Sequence, residues 1–234
     1  MHAGGGAGGP GFFPFFLMPA PELLLTGFEP FGGDSFNPAG ALARALHGRL
    51  LGGTVGVVGL ELPVSGPTAW RKLSASVRRS RPSWIVALGV SGRAEISIET
   101  TAWNEEDYGI PDNAGRQPRG QRILARGPAH LASGLAGRLG EAGGGAAGLA
   151  IRRSADPGRF VCNHLYYRLL HLTRQAGHSA HQRAIFLHLP ATWEMRRSLE
   201  DRRRFYALEG LQEAVLGLLR QVVGGESGSP SPHC

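Results

Sequence analysis

Residues 150–174 read Ala150-Ile-Arg-Arg-Ser-Ala-Asp-Pro-Gly-Arg-Phe-Val-Cys-Asn-His-Leu-Tyr-Tyr-Arg-Leu-Leu-His-Leu-Thr-Arg174. An extended segment ends at Ser154, Pro157 and Gly158 predict a turn, and leucines recur at roughly helical spacing from Cys162 onward. A helix start exposes unpaired amide N–H groups and the positive end of the helix dipole, and both stabilise an anion. The pattern therefore predicts a Cys162 thiol with a pKa below that of an ordinary cysteine, which favours the reactive thiolate.

A structural alternative is that Cys162 only packs the strand–helix turn, because free cysteines are among the most buried residues. The sequence after Cys162 instead indicates that a histidine side chain lies next to the thiol. A helix from Cys162 to about Gly177 runs back ~22 Å, and a strand from Arg183 to Leu189 returns ~23 Å. If that strand is parallel to the strand before Cys162, His188 reaches the same edge of the sheet as the thiol.

His188 lies in the apolar strand Ala184-Ile-Phe-Leu-His-Leu-Pro190. The structural alternative is a core histidine that is hydrogen-bonded to a backbone carbonyl and takes no part in catalysis. A cysteine nucleophile needs a base within hydrogen-bond reach, which favours a catalytic role for His188. A third group that orients the imidazole improves such a pair. Spacing alone does not choose among the candidate carboxylates, which are Glu29, Glu95, Glu99, Asp112 and Asp156.

The rest of the chain alternates predicted strands with predicted helices. This pattern is typical of an α/β fold, here a three-layer α/β/α sandwich around a mostly parallel twisted sheet in a single domain. Residues 96–102 alternate apolar and polar side chains, with Glu99 on the polar face, and residues 104–127 form a long loop. The predicted strands are 22–26, 54–64, 84–90, 148–153 and 183–189, and the further helices are 39–50, 67–79, 128–139 and 194–223.

The 234 residues, 42% of them hydrophobic, suit one domain, which we expect at 21–224. Residues 1–20 predict a disordered extension, of which 1–17 are dispensable with Met18 as the functional start, and 225–234 predict a flexible tail. No membrane-spanning run and no signal peptide is evident. With two cysteines there is no disulfide framework, so we expect a cytoplasmic protein.

The net charge of +7 comes almost wholly from scattered arginines, with Lys72 the single lysine. Nucleic-acid binding needs a continuous basic face, so we expect none. Four histidines between residues 164 and 181 lack the carboxylate or cysteine partners of a metal site, so no metal is expected. The glycine-rich loop 27–33 lacks a phosphate-loop Lys-Ser/Thr, and Gly89-Val-Ser-Gly92 lacks the second glycine of a serine elbow.

Five separated motifs follow one another over about residues 22–223. They are Thr-Gly-Phe-Glu-Pro-Phe-Gly-Gly at 26–33 with Asn37-Pro38, Ile-Glu-Thr-Thr-Ala-Trp-Asn at 98–104, Ile-Pro-Asp-Asn-Ala-Gly-Arg-Gln-Pro at 110–118, Asp-Pro-Gly-Arg-Phe-Val-Cys-Asn at 156–163 and Phe-Leu-His-Leu-Pro at 186–190. In this order they resemble the pyroglutamyl-peptidase I family, also called pyrrolidone-carboxylate peptidase. Asn163 and the 110–118 motif resemble the bacterial branch.

The resemblance implies a cysteine exopeptidase that removes an N-terminal pyroglutamyl residue from peptides, without a cofactor. It implies Cys162 as nucleophile, His188 as base and then acid, and Glu99 as the group that orients His188. The family often forms homo-tetramers. The implied pocket places two rings around the lactam and two further residues near it, namely Phe28, Phe31, Phe160 and Val161.

One departure from the family pattern affects the pocket. Many bacterial members have Gln-Ala-Gly-Gly where this chain has Val90-Ser-Gly-Arg93, so one pocket side-chain contact differs. Two alternatives stay open at this point: a cysteine amidase or peptidase for another small N-terminal acyl group, and a catalytically silent relative that acts as a binding module.

Overall fold

The computed structural model describes residues 22–141, 148–175, 183–198 and 200–224. One seven-stranded sheet forms the centre, and a two-stranded antiparallel ribbon lies beside it. The strands are β1 Glu22–Phe28, β2 Leu50–Leu51, β3 Val55–Leu62, β4 Trp84–Val90, β5 Ile96–Glu99, β6 Thr101–Trp103, β7 His130–Ala132, β8 Ile151–Ser154 and β9 Arg183–Leu189, and the helices are α1 Pro38–Ala45, α2 Gly66–Ser80, α3 Val161–Thr173 and α4 Leu208–Gly224.

The large sheet has the order β2-β3-β1-β4-β9-β5-β8. Strands β3, β1, β4 and β9 are mutually parallel, whereas β5 runs antiparallel to β9 and β8 is parallel to β5. At the other edge, β2 is antiparallel to β3. The ribbon pairs β6 with β7. The predicted α/β class with a mostly parallel sheet is therefore confirmed.

Two apolar cores lie on the two faces of the sheet, as the alternation of β1 shows. Leu23 and Leu25 belong to one core, which also contains Leu42 of α1 and Leu211 of α4. Leu24 belongs to the other, with side chains of α2 and α3. Because successive side chains of a strand point to opposite faces, helices cover the sheet on both sides. These contacts make the three-layer sandwich that the sequence predicts.

The sheet corrects one step of the sequence argument. The strand before Cys162 is β8, and it runs antiparallel to β9, because both are joined through β5. The parallel pairing assumed for the thiol and imidazole strands is therefore wrong. The chain reaches the imidazole by a different path, since residues 155–160 carry it from the end of β8 to the start of α3.

Two predicted helices are wrong in extent or kind. Residues 128–139 form β7 and a short 3₁₀ turn at Ala136–Arg138. Three regularly spaced leucines led to the predicted helix, whereas Pro128 and two glycines in this stretch disfavour one. The last helix begins at Leu208 and not at Glu194. Before it, a 3₁₀ turn at Trp193–Met195 and irregular chain cover a small apolar cluster of Ala191, Met195 and Phe205.

Other predicted boundaries shift by a few residues. Helix α1 ends at Ala45, where the sequence predicts Leu50, and Gly48 follows in the left-handed region with φ 79°. Strand β9 has the predicted bounds. The predicted extension 1–20, with Met18, and the predicted tail 225–234 lie outside the described residues. No helix in the described ranges is long and apolar enough to cross a membrane.

Helix α1 lies directly on β1 and β3, and two glycines of β3 test how close that contact is. A Cβ on Gly59 would overlap the carbonyl oxygen of Ala43 in α1, whereas a Cβ on Gly56 would meet no atom within 4 Å. We expect Gly59→Ala to lower the free energy of unfolding by about 1–3 kcal/mol, as overpacking does. Gly56→Ala, three residues away in the same strand, should stay within about 1 kcal/mol of the wild type. Urea unfolding of both variants checks this, and equal stabilities would contradict the close contact.

Candidate active site

The turn before α3 brings Cys162 to the second residue of that helix. Gly158 takes a positive φ of 75°, and its amide donates to the Asp156 carboxylate at 3.1 Å. Phe160 is the N-cap residue in extended conformation and makes no side-chain cap hydrogen bond. The first-turn amide N–H groups therefore stay available to a ligand at the position of the thiol.

The thiol lies against β4 at a glycine. A Cβ on Gly89 would be 2.8 Å from Cys162 Sγ and 2.8 Å from Cζ of Phe186. Gly89 is the register partner of His188 in the β4–β9 pair. Phe186 and His188 share one face of β9, and their rings are 4.8 Å apart between centroids. The structure thus brings the sulfur and the imidazole to neighbouring positions on the face that α3 covers.

Glu99 orients the imidazole. Its Oε1 lies 2.8 Å from His188 Nδ1, and the carboxylate is fully buried. Strand β5 places it there because Ser97 is the register partner of His188 and Glu99 that of Phe186, which puts Glu99 diagonally across from the ring. The Tyr166 hydroxyl of α3 donates to the Glu99 carbonyl at 2.7 Å. The predicted polar face of this strand is therefore an interior face, since α3 covers it.

The other candidate carboxylates lie in different surroundings. Glu29 accepts from the Val64 amide at 3.0 Å, and the Asp112 carboxylate accepts from the Arg116 amide at 2.9 Å. Asp156 belongs to the turn before α3, and Glu95 precedes β5. Among the five, the carboxylate that contacts His188 is that of Glu99.

Arg93 is a site residue that the sequence analysis did not assign. Its Nη1 donates to Glu99 Oε1 at 2.9 Å and to Ser154 Oγ at 3.1 Å, and its Nη2 donates to the Asp156 carbonyl at 2.6 Å. A guanidinium that pairs with a buried carboxylate offsets the cost of burying that charge. The available signal was an arginine in the short turn between β4 and β5, six residues before Glu99, but spacing does not reveal the contact.

An apolar cavity opens beside the thiol, and we call it the slot. Phe31 and Phe160 border it with ring centroids 5.8 Å apart. Val90 presents an isopropyl group where the family pattern often has a glutamine side chain. Every pocket residue suggested by the resemblance lies around this one cavity. Its lining residues are Phe28, Phe31, Asn37, Val64, Val90, Phe160, Val161 and Cys162.

The slot makes the thiol less acidic than the sequence analysis expects. Burial, and to a smaller extent the negative charge of Glu99, raise the pKa of Cys162 to about 12, and a backbone N–H hydrogen bond offsets only part of the rise. The predicted lowering of this pKa is therefore wrong, because desolvation by the apolar lining outweighs the helix start. The resting sulfur is a thiol, so a reaction has to remove its proton as the bond forms.

His164 and His171 of α3 each contact a different side chain. His164 Nδ1 lies 2.7 Å from Glu106 Oε1, and His171 Nδ1 lies 3.3 Å from the Gln175 amide. His178 and His181 lie outside the described residues. Within the described ranges no group of three potential ligands is placed to hold a metal ion.

A thiol at a helix start beside an imidazole that a buried carboxylate orients is the chemistry of cysteine-dependent hydrolases. The comparisons with known proteins narrow this class. The family model described as pyroglutamyl peptidase matches residues 21–202. The chain belongs to the pyroglutamyl peptidase family.

Relatives and solved structures agree with this assignment. The pyrrolidone-carboxylate peptidase of Erwinia tasmaniensis is 40% identical over 170 residues, which cover 72% of this chain and 78% of the relative. The pyrrolidone-carboxylate peptidase of Yersinia pestis is 36% identical over 170 residues, which again cover 72% of this chain and 78% of the relative. The crystal structure of pyroglutamyl peptidase I from Bacillus amyloliquefaciens gives a TM-score of 0.77 at 28% identity, covering 91% of this chain and 100% of that one. The pyrrolidone carboxyl peptidase of Thermococcus litoralis gives 0.75 at 26% identity, with the same coverage.

The raised thiol pKa predicts how Cys162 reacts with iodoacetamide. Below a pKa of about 12 the thiolate fraction grows with pH, so the alkylation rate should rise about tenfold per pH unit from about pH 7 to pH 10. Mass spectrometry of the Cys162 peptide over time measures this rate. A short cysteine peptide with blocked termini is the control, since its thiol has an ordinary pKa of about 8.5 and its rate should level off above about pH 9.5. A Cys162 rate that is already constant below pH 8 would contradict the raised pKa.

Proposed function

We propose that this chain is a cysteine exopeptidase that hydrolyses the amide bond after an N-terminal pyroglutamyl residue of a peptide, with Cys162, His188 and Glu99 as its catalytic residues. The observation that carries the proposal is the position of the slot. Aromatic and aliphatic side chains enclose it at the start of α3, and the sulfur of Cys162 is part of its wall. A flat uncharged ring that enters the slot lies against the nucleophile.

The apolar lining explains why the substrate carries pyroglutamate and not a free amino terminus. The five-membered lactam has no charged amine, so its entry removes only a neutral amide and an apolar ring from water. An ammonium group in the same place would lose its water with no carboxylate to receive it, because the lining contains no ionised oxygen. Phe28 and Phe31 hold the ring, with Phe160 and Val161 near it, and Cys162 faces the carbonyl.

The first half of the reaction forms a thioester. His188 takes the proton of the Cys162 thiol as the sulfur attacks the scissile carbonyl carbon, so thiolate character develops only with the new bond. Amide N–H groups at the start of α3 stabilise the resulting oxyanion. The C–N bond then breaks, His188 returns the proton to the leaving amine, and the shortened peptide departs.

The second half releases the acid. His188 removes a proton from a water molecule that attacks the thioester, the C–S bond breaks, and the sulfur regains its proton from the imidazolium. Pyroglutamic acid and the free thiol result. Glu99 accepts from the Nδ1–H of His188 and stabilises the imidazolium, and Arg93 holds the same carboxylate oxygen in place.

We further propose that the catalytic unit spans residues 21–224 and functions in the cytoplasm as a homo-tetramer that binds peptides and no nucleic acid. The low cysteine count and the scattered arginines support the compartment and the absence of nucleic-acid binding. The assembly rests on the family resemblance, and light scattering on the purified protein tests it. A monomer would contradict the tetramer and leave the catalytic proposal in place.

The purified protein should release the fluorophore from a pyroglutamyl amide and leave prolyl and alanyl amides intact. Cys162→Ser should lower kcat at least about a thousandfold, because a hydroxyl in this site is a far weaker nucleophile than a thiol. Its circular dichroism spectrum should match that of the wild type. Faster hydrolysis of a different acyl amide would favour the alternative amidase, and an inactive wild type that still binds the peptide would favour a silent relative.

The ring of Phe31 should contribute to substrate binding. We expect Phe31→Ala to raise KM for the pyroglutamyl amide about tenfold or more, since losing an aromatic contact weakens binding of the lactam. Phe36→Ala is the matched control, because Phe36 lies in the same loop but packs against the cluster of Ala191, Met195 and Phe205 instead of lining the slot. Steady-state kinetics compare the two variants. An unchanged KM for Phe31→Ala would place its ring outside the binding site.

A further inference from the structure

A second group of buried polar side chains lies behind Phe160, and the mechanism above does not use it. Glu106 and Tyr108 come from the long loop after β6, and His164 comes from the first turn of α3. Their exposed fractions are 4%, 0% and 3%. We call these three residues the buried triad. Burying a carboxylate this deeply is costly unless several donors compensate it.

The donors are present. His164 Nδ1 lies 2.7 Å from Glu106 Oε1, and the Tyr108 hydroxyl donates to the same oxygen at 2.8 Å. Both terminal nitrogens of Arg116 approach the carboxylate at 3.4 Å. Burial alone would raise the pKa of Glu106, but the interactions with His164 and the hydrogen bonds from Arg116 and Tyr108 lower it to about 2. The carboxylate is therefore ionised at neutral pH.

The buried triad touches the wall of the slot. The Tyr108 ring meets the Phe160 ring edge-on, with centroids 4.7 Å apart, and Phe160 in turn faces Phe31 across the slot. His164 is two residues after Cys162, and its amide donates to the Phe160 carbonyl at 3.1 Å. A shift of Tyr108 or His164 therefore moves the ring that borders the substrate.

Other contacts also join the loop to α3, but they differ in kind. Asn163 Nδ2 donates to the Glu105 carbonyl at 2.8 Å, and Arg159 pairs with the half-exposed Glu105 carboxylate at 3.0 Å. These contacts hold the loop backbone and its solvent side. In contrast, the Glu106 carboxylate joins Tyr108 to His164 in the interior, next to Phe160.

We propose that Glu106, Tyr108 and His164 are positioning residues that hold Phe160 against the lactam ring and so set the affinity of the slot for substrate. The proposal rests on the proposed function, because it takes the slot as the site of the pyroglutamyl ring. The ring occupies the slot in the ground state and in the transition state alike. Loosening the wall therefore weakens binding in both, which raises KM and leaves kcat nearly unchanged.

The test compares two neighbouring glutamates. Glu106→Gln keeps the size of the side chain but removes the charge that joins Tyr108 to His164, whereas Glu105→Gln removes a carboxylate charge at the half-exposed pair with Arg159. For Glu106→Gln we expect KM for the pyroglutamyl amide to rise about tenfold with kcat within about twofold of the wild type. Glu105→Gln should change neither constant by more than about twofold.

A second readout does not depend on turnover. The bare lactam 2-pyrrolidone should protect Cys162 from iodoacetamide by filling the slot. In Glu106→Gln the concentration that gives half-protection should rise by the same factor as KM, while the alkylation rate without 2-pyrrolidone stays that of the wild type. A general loss of structure would instead change the unprotected rate as well.

Tyr108→Phe supports the test if Glu106→Gln does not fold. It keeps the ring that packs on Phe160 and removes one hydrogen bond to Glu106, so KM should rise about threefold with kcat unchanged. Equal KM and equal half-protection in the folded variants and the wild type would overturn the inference, as would a loss confined to kcat.

The outcomes separate the two proposals. If the wild type does not hydrolyse the pyroglutamyl amide but 2-pyrrolidone protects its thiol, the proposed function fails and the protection data alone decide the role of the buried triad. If the wild type hydrolyses the pyroglutamyl amide but 2-pyrrolidone does not protect its thiol, the slot does not take the lactam, so this inference fails while the proposed function stands.

Discussion

The contact between Glu99 and His188 is the interaction on which the rest of the site depends. It forms where β9, the last of the four mutually parallel strands, pairs with β5, which runs antiparallel to it. A fully buried carboxylate at this junction needs donors, and the imidazole and the guanidinium of Arg93 supply them at 2.8 and 2.9 Å. The same carboxylate that orients the base also makes the thiol harder to ionise. The Cys162 sulfur is therefore a neutral thiol at neutral pH.

Close packing sets the position of the sulfur. Gly89 leaves space between β4 and α3 that a methyl group would fill, and Cys162 Sγ occupies it next to the register partner of Gly89. The Phe186 ring borders the same space, and it also packs against the His188 imidazole. The close approach of the β4 backbone to the start of α3 at Gly89 thus sets the position of the thiol. The apolar surroundings that hold it also raise its pKa, so one arrangement has both consequences.

The sequence predicts part of this arrangement and misses the rest for identifiable reasons. Periodicity located β9 with its bounds and the start of α3 within a residue, because both are strongly apolar elements next to clear turn signals. Glu99 was one of five possible carboxylates until the family resemblance selected it, since local spacing carries no information about a pairing between β5 and β9. Arg93 and Gly89 act through contacts with elements distant in the chain, which no local pattern reveals. The helix prediction at residues 128–139 was wrong because it followed the regular leucine spacing. The proline and the glycines of this stretch disfavour a helix, and the structure there is a short strand and a 3₁₀ turn.

The uncharged lining of the slot has a consequence for the course of the reaction. Removal of a pyroglutamyl residue leaves a peptide that begins with an ammonium group. With the substrate ring bound in the slot, as we propose, such a terminus is excluded because the lining contains no anionic partner for it. Cleavage of a given polypeptide therefore stops after one residue, because the new amino terminus is no longer a substrate. An enzyme built in this way unmasks amino termini and leaves the remainder of the molecule for other proteases.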